Sequence, residues 1–417
     1  MQIVCFEDEL TAQLAPITTG RPAYAIHCAS FSLLDWLQRL KSPVSAYVRP
    51  HLTTIQELDY QLTPISDPLA RGPLLLVNAR LVPSQSNASV LSQLMKQSQP
   101  CQISDPTGLL AAVVPAGWQS DSPAQGGDQA CSFIEALRLA GQQQPATAAR
   151  LTSFQWPHDV VQWHMRLMAE NLQLRLLEGD YQQMQDGVFV ASGAKIGSHA
   201  IIDTKAGPIL LDEDVQVGPF CYLSGPVYAG PSSRIIEHAA LKDGVALGST
   251  VKIGGEVEAS IIESFSNKQH HGFLGHSYLG SWINLGAGTC NSDLKNTYGK
   301  INMEYQGQRV STDMQFMGCV MGDYAKTAIN TGIFTGKVIG VASMLYGFVT
   351  SNVPSFVNYA RLFGQTAEIP AEVMISTQAR MFQRRKVQQR DCDQQLIRDM
   401  FTITAAEREQ GESMTLG

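Results

Sequence analysis

The stretch Leu211-Asp-Glu-Asp-Val-Gln-Val217-Gly-Pro-Phe-Cys-Tyr-Leu223-Ser-Gly-Pro-Val-Tyr-Ala229-Gly-Pro-Ser-Ser-Arg-Ile235-Ile-Glu-His-Ala-Ala-Leu241 repeats every six residues. Its anchors are Leu211, Val217, Leu223, Ala229, Ile235 and Leu241, and the phase continues through Leu247, Ile253 and Ala259. Two residues before each anchor stands a mostly small or β-branched residue, among them Val215, Cys221, Ser233 and Val251, and Gly follows the anchor at 218, 230, 248 and 254. A period of six fits neither a helix of about 3.6 residues per turn nor the alternation of a strand. It fits a β-solenoid: each hexad makes one short strand and a corner, the anchor points inward, and the small residue and Gly let the chain turn. The phase is present earlier at Val190, Ile196 and Ile202, returns at Phe273, Leu279 and Leu285, and returns again at Met321, Thr327, Ile333 and Ile339.

Outward from the repeat the texture changes. A helix starting near Pro157 places Val160, Trp163, Leu167 and Leu174 on one face. Before it, residues 1–155 mix short apolar runs such as Leu74–Val77 with helical pieces such as Phe31–Leu40, an α/β texture with polar loops at 84–88, 118–129 and 141–145. The expected divisions are 1–155, a connecting helix over 156–186, the solenoid over 187–359, and a helical tail over 360–417 that carries Arg380-Met-Phe-Gln-Arg-Arg-Lys386.

Thirty basic and 37 acidic side chains give a net charge of −7, which excludes nucleic acid as the main partner. With 44% hydrophobic and 16% charged residues the chain has packed cores, and 35 Gly with 20 Pro suit a turn-dense region. No run approaches the roughly 18 apolar residues of a membrane span. The opening Met1–Leu10 meets acid at Glu7 where a secretory signal would be basic, so no membrane and a cytoplasmic location are expected. Eight Cys form no CxxC pair, as reduced thiols.

The hexad phase fails twice, and a solenoid places functional insertions where its register is interrupted. One interruption is Glu263-Ser-Phe-Ser-Asn-Lys-Gln-His-His-Gly-Phe-Leu-Gly-His276. The other follows Asn284-Leu-Gly-Ala-Gly-Thr289 and contains Cys290-Asn-Ser-Asp-Leu-Lys-Asn-Thr-Tyr-Gly299. Between them these segments concentrate His, Lys, Asn and Asp on a scaffold otherwise poor in charge.

The hexads resemble those of the left-handed parallel β-helix acyltransferases, which implies a left-handed coil and a homotrimer with sites between neighbouring prisms. The segment Lys268–Gly288 resembles the acetyltransferase half of the bifunctional uridylyltransferase/glucosamine-1-phosphate acetyltransferase family, and 267–278 with 292–299 resemble its sugar nucleotidyltransferase-like subfamily more closely. That resemblance implies His270 as catalytic base, with adjacent His271 as the alternative, and Phe273 and Asn284 as substrate contacts. It implies Asp293 at the position of a family Asn, Lys268 and Lys295 as candidates for the sugar phosphate, and the backbone of Ala287 and Gly288 against the acetyl group of acetyl-CoA. Arg234 and Lys252 stand near, without matching, the family's phosphate-clamping Arg and Lys, and the basic run Arg380–Lys386 is a candidate for coenzyme A phosphates of a neighbouring subunit. His270, His271 and His276 are spaced differently from the ligands of zinc carbonic anhydrases of the same coil type, and no metal is expected there.

Residues Thr11–Pro22 and Ser32–Leu37 resemble the opening of nucleoside-diphosphate-sugar pyrophosphorylases, in which a Gly-rich loop cradles phosphates. Phe6-Glu-Asp-Glu-Leu10 replaces that loop here, and Leu76-Val-Asn-Ala-Arg80 puts Arg80 where the family has a Mg²⁺-holding Asp. The expectation is a degenerate α/β nucleotidyltransferase-like domain, using Mg²⁺ only if active, joined to an all-β left-handed parallel β-helix. The coil would transfer acetyl to the amine of an amino-sugar 1-phosphate, with glucosamine-1-phosphate the candidate, in UDP-N-acetylglucosamine synthesis. A bifunctional enzyme and a non-catalytic sugar-phosphate-binding trimer are the alternatives.

Overall fold

The computed structural model describes residues 1–65, 72–118, 129–360 and 365–413. The expected polar loop at 118–129 falls almost wholly outside the described residues, as does the end of the tail. Two compact units are present, one formed by 1–14, 21–27 and 31–155 and the other by 15–20, 28–30 and 156–417.

In the first unit a five-stranded sheet runs in the order β2-β1-β3-β5-β4. Strands β1 (Gln2–Phe6), β2 (Val44–Tyr47) and β3 (Leu74–Asn78) are parallel, and β4 (Cys101–Asp105) and β5 (Gly108–Val114) close the far side antiparallel. All five residues of β3 are buried, as a run of Leu and Val requires when both faces of a sheet are covered. Helix α1 (Leu33–Arg39) starts on a reciprocal Ser32/Asp35 cap. Because β2 and β3 flank β1 on opposite sides, chain direction diverges at the carboxyl ends of β1 and β3, where open α/β sheets bind ligands.

In the second unit the hexads form a parallel coil. Leu211 pairs with Ala229 and Ala229 with Leu247, while Val217 pairs with Ile235 and Ile235 with Ile253, steps of 18 residues or three hexads per turn. From Leu211 to Ile253 the inward anchors are 0–5% exposed, and Val190, Ile196 and Ile202 at the start of the coil pack against them partly buried, so one apolar column runs along the coil.

The interruptions have distinct geometries. The next turn is shorter: Leu241 pairs with Val257 after 16 residues, and past a bulge between Lys242 and Val245 the step is 15, as from Ile253 to Lys268. Ile262 then pairs with Leu279 after 17, and Leu279 with Met321 after 42, an excursion of 42 − 17 = 25 extra residues. That excursion runs well past Gly299, the expected end of the second interruption. It contains an antiparallel hairpin, Asn302–Tyr305 with Gln308–Ser311, which has the alternation of two rather than six. Steps of 18 resume from Met321 to Ile339.

Two anchors differ from the hexad reading. Leu274, not Phe273, pairs with Val257 and is buried, so Phe273 faces outward. Val257, not Ala259, continues the column of Leu241.

Helix α2 (Thr53–Asp59), α3 (Gln85–Gln97) and α4 (Gln129–Gln142) complete the first unit. Helix α5 (Pro157–Glu178) belongs to the second and buries Val160, Val161, His164, Leu167, Met168, Asn171 and Leu172, a helical stripe in which His164 and Leu172 replace the expected Trp163 and Leu174, both half-buried. The His164 ring accepts from the Ala29 N–H at 3.1 Å through Nδ1 and lies 3.0 Å from the Gly244 carbonyl through Nε2, which sets Nε2 as the protonated nitrogen. Antiparallel strands end the coil on both sides: Gln182–Gln185 against Val188–Val190, and Gln365–Glu368 against Val357–Ala360. The tail folds as α6 (Ala371–Arg384), α7 (Asp391–Ile403) and α8 (Ala405–Ser413). No helix among the described residues is long and apolar enough to cross a membrane.

Candidate functional site

One corner of the coil gathers four of the residues singled out above. His270 and His271 turn the chain after the strand Asn267–Lys268, and the next turn places Ala287 and Gly288 directly against them through a Gly288 N–H bond of 3.0 Å to the His271 carbonyl. On the adjoining face Asn267, Asn284 and Lys326 follow one another in register. The corner is tight: Gly272 has φ +132° and Gly288 φ +75°, and a Cβ at either would collide with the Thr289 carbonyl or the Asn330 side chain. Both imidazoles are exposed, and neither has a hydrogen-bond partner among the described residues.

Lys268 holds this corner from inside. It occupies an inward anchor position, in register with Ile253, and is only 2% exposed. Its ammonium donates to the carbonyls of Gly254 at 2.7 Å, Gly272 at 2.6 Å and His270 at 3.2 Å. All three N–H donors are thereby spent inside the chain, so Lys268 braces the His270 turn and does not reach a phosphate as expected. Burial pushes its pKa down to about 8.

Backbone donors around Ala287 are also mostly committed. Leu285 N–H bonds to Asn267, Gly286 N–H to Thr327, and Gly288 N–H to His271. The Ala287 N–H has no acceptor among the described residues, which singles it out of Leu285–Gly288 for an incoming oxygen. Phe273 lies on the next face, its N–H 3.3 Å from the exposed Cys290 thiol, a neighbour of the corner that the hexad reading did not single out.

Asp293 and Lys295 stand apart from the corner. Asp293 accepts from His276 Nδ1 at 2.8 Å, at the opposite end of the strand Phe273–Gly275 from His270. Glu258, His276 and Asp293 place ligand atoms within 4.8 Å of one another, the one such grouping among the described residues. The Lys242 ammonium lies 3.3 Å from Glu258, and the His276 ring stacks on Phe316 at 5.2 Å. Met317 N–H bonds to the Asp293 carbonyl and Gly318 N–H to that of His276, so this cluster clasps the base of the 25-residue excursion. Lys295 lies within the excursion and gives its ammonium to the Lys300 carbonyl.

At the divergence point of the first unit, three successive acids each meet an arginine. Glu7 bonds Arg49 at 2.9 Å, Asp8 bonds Arg80 at 2.7 Å, and Glu9 bonds Arg138 at 2.8 Å. The middle pair is buried, 5% and 0% exposed, with Asn78 also donating to Asp8 at 2.7 Å and Arg80 to the Phe154 carbonyl at 2.9 Å. The guanidinium and the Asn78 amide hold the Asp8 carboxyl below its ordinary value against the opposing effect of burial. These residues do not fit Mg²⁺: the carboxylate that would hold it is absent at Arg80, and the remaining one is saturated by a fixed cation.

Residues 3–178 match the family model described as sugar nucleotidyl transferase. A bifunctional sugar-1-phosphate nucleotidylyltransferase/acetyltransferase of Sulfurisphaera tokodaii is 30% identical over 146 residues, 34% of this chain and 35% of that protein. The bifunctional protein GlmU of Ralstonia pickettii is 34% identical over 127 residues, 30% of this chain and 25% of that one. The chain thus spans about a third or less of the curated relatives it matches. Among solved structures, the Francisella novicida UDP-N-acetylglucosamine acyltransferase covers 49% of this chain and 71% of its own at 15% identity and a TM-score of 0.32.

Proposed function

From a chain that is a relative of the bifunctional sugar nucleotidylyltransferase/acetyltransferases, we propose an N-acetyltransferase that moves acetyl from acetyl-CoA to the amine of an amino-sugar 1-phosphate. Glucosamine-1-phosphate is the first candidate, as a step towards UDP-N-acetylglucosamine. The observation that supports this reading is the corner itself: His270 and the uncommitted Ala287 N–H stand on successive turns joined by the Gly288–His271 bond, with Asn284 on the adjoining face.

In this reading the His270 imidazole takes a proton from the substrate ammonium, and the freed amine attacks the thioester carbon. The carbonyl oxygen takes up negative charge against the Ala287 N–H, which needs no reorganisation because Lys268 and the Gly288–His271 bond fix the turn. Collapse breaks the carbon–sulfur bond: the thiolate leaves with the proton from His270, and the nitrogen gives its remaining surplus proton to solvent, so that amide, coenzyme A thiol and one proton are the products. Asn284, with Asn267 beneath it, orients sugar hydroxyls. A homotrimer supplies the walls that one prism lacks at this exposed edge, and light scattering of the purified chain tests it. For the first unit we read no Mg²⁺-dependent nucleotidyl transfer, because the Asp8–Arg80 pair fills the place of the cation.

Coenzyme A release from acetyl-CoA and glucosamine-1-phosphate, followed by chromatography, tests the reading. His270→Ala is expected to lower turnover by about 10²–10⁴-fold. Unchanged turnover would remove His270 as the base, and no turnover in a folded wild-type trimer would overturn the substrate assignment. Pyrophosphate release from UTP and a sugar 1-phosphate with Mg²⁺ would overturn the reading of the first unit.

A further inference from the structure

We propose that Arg234, Lys252, Arg384 and Arg385 form a binding site for a phosphate-bearing group, a phosphomonoester or diphosphate, on the coil face below Asn284. The strands Arg234–Ile235, Lys252–Ile253 and Asn267–Lys268 pair in register, with Ile235, Ile253 and Lys268 inward. Arg234, Lys252 and Asn267 therefore stand outward one above another at the spacing of adjacent strands, about 4.8 Å.

Helix α6 brings the other two cations. Its Phe382 ring stacks on Trp282 at 4.3 Å, and Trp282 stacks on Phe265 at 4.4 Å, which pins the helix end to the coil. Beyond it, Arg385 donates from Nη2 to Asn267 Oδ1 at 2.7 Å, one rung from Lys252. Four cations thus converge from segments more than 100 residues apart in a chain of net charge −7.

No carboxylate among the described residues forms an ion pair with any of the four. Burial and then the charges of Arg385, Arg234 and Arg384 hold the Lys252 ammonium below its ordinary value, and burial with Arg384 and Arg234 does the same to Arg385. Like charges at rung spacing oppose folding. An oxyanion of two or more charges removes that opposition, and guanidinium forks match its oxygens in pairs. The amides of Asn267 and Asn284 continue the same column, so the phosphate belongs to a ligand with a hydrogen-bonding body. A sugar phosphate and the phosphates of coenzyme A share this chemistry; only that choice rests on the acetyl-transfer reading.

Calorimetric titration of the full chain with inorganic pyrophosphate tests the site, comparing wild type, Arg234→Gln/Lys252→Gln and a Lys205→Gln control on an exposed turn. Binding is expected to weaken at least tenfold in the double variant, to fall with added salt, and to be unchanged in the control and in His270→Ala. Equal titrations in wild type and double variant would overturn the site while leaving the acetyltransferase assay untouched. Displacement of pyrophosphate by glucosamine-1-phosphate assigns the site to the sugar, and displacement by adenosine 3′,5′-bisphosphate assigns it to the coenzyme. Displacement by neither would overturn the ligand class. Thermal unfolding separates binding from a structural role, since a structural cluster would lose stability in the double variant without ligand.

Discussion

The crevice of the first unit and the cationic face of the coil are opposites in charge pairing. In the crevice three arginines come from distant segments, and each meets an acid of the run Glu7-Asp8-Glu9. On the coil four cations converge, and among the described residues none forms an ion pair with an acid. A guanidinium that is already neutralised offers little to an incoming phosphate, whereas one held against its own kind gains from it. Counting basic residues would rank the two regions alike; their partners separate them.

The comparison breaks most visibly at Asp8. Asp8→Ala leaves Arg80 buried and unpaired, and a loss of about 3–5 kcal/mol is expected in denaturant unfolding. A loss below about 1 kcal/mol would mean that the pair does not close the crevice. Next comes acid. His164 is fully buried with its pKa lowered to about 4 by burial, below the unfolded value of about 6.5. The unfolded chain therefore takes up the proton first, so this contribution is complete above about pH 6.5 and is lost as pH falls through about 4, up to about 3 kcal/mol. His164→Gln should flatten the acid limb of stability against pH; an unchanged slope would locate the titration elsewhere.

Lys268→Met strips the ammonium from three carbonyls and is expected to cost about 1–3 kcal/mol and to lower turnover with it. Full activity in that variant would separate the His270 turn from its brace. The smallest effect has the opposite sign. Lys252→Gln relieves like-charge opposition and should raise stability by up to about 0.5 kcal/mol, read as a shift in melting temperature without ligand. A fall there would show that Lys252 has an anionic partner.

The coil was legible because one period ran unbroken from Leu211 to Ile253. It ceased to be legible where the period met a bulge, since spacing carries no sign that Val257 takes over the column of Leu241. Lys268 concealed itself further: a lysine at an anchor reads as an outward residue until three carbonyls are found around it. The hairpin Asn302–Tyr305 and Gln308–Ser311 alternates at two, a spacing that a period of six does not contain. In the first unit the unsuitable chemistry of Glu7–Glu9 and Arg80 was readable, but the Asp8–Arg80 bond spans 72 positions and needed coordinates. So did Arg385 on Asn267, which spans 118. His270, Asn284 and Ala287 can be named from a local pattern, whereas the bond of Asp293, in the same signature, to His276 spans 17 positions.

The two antiparallel strands that end the coil bear on its life at high concentration. A parallel coil is an open stack, and any bare end is a template onto which another copy can add, as a crystal face accepts the next layer. Reversing strand direction at Gln182–Gln185 and Gln365–Glu368 presents each arriving copy with the wrong polarity. Each reversed strand covers the end of one sheet of the coil, so a copy arriving there meets a reversed edge and not a continuation of the stack.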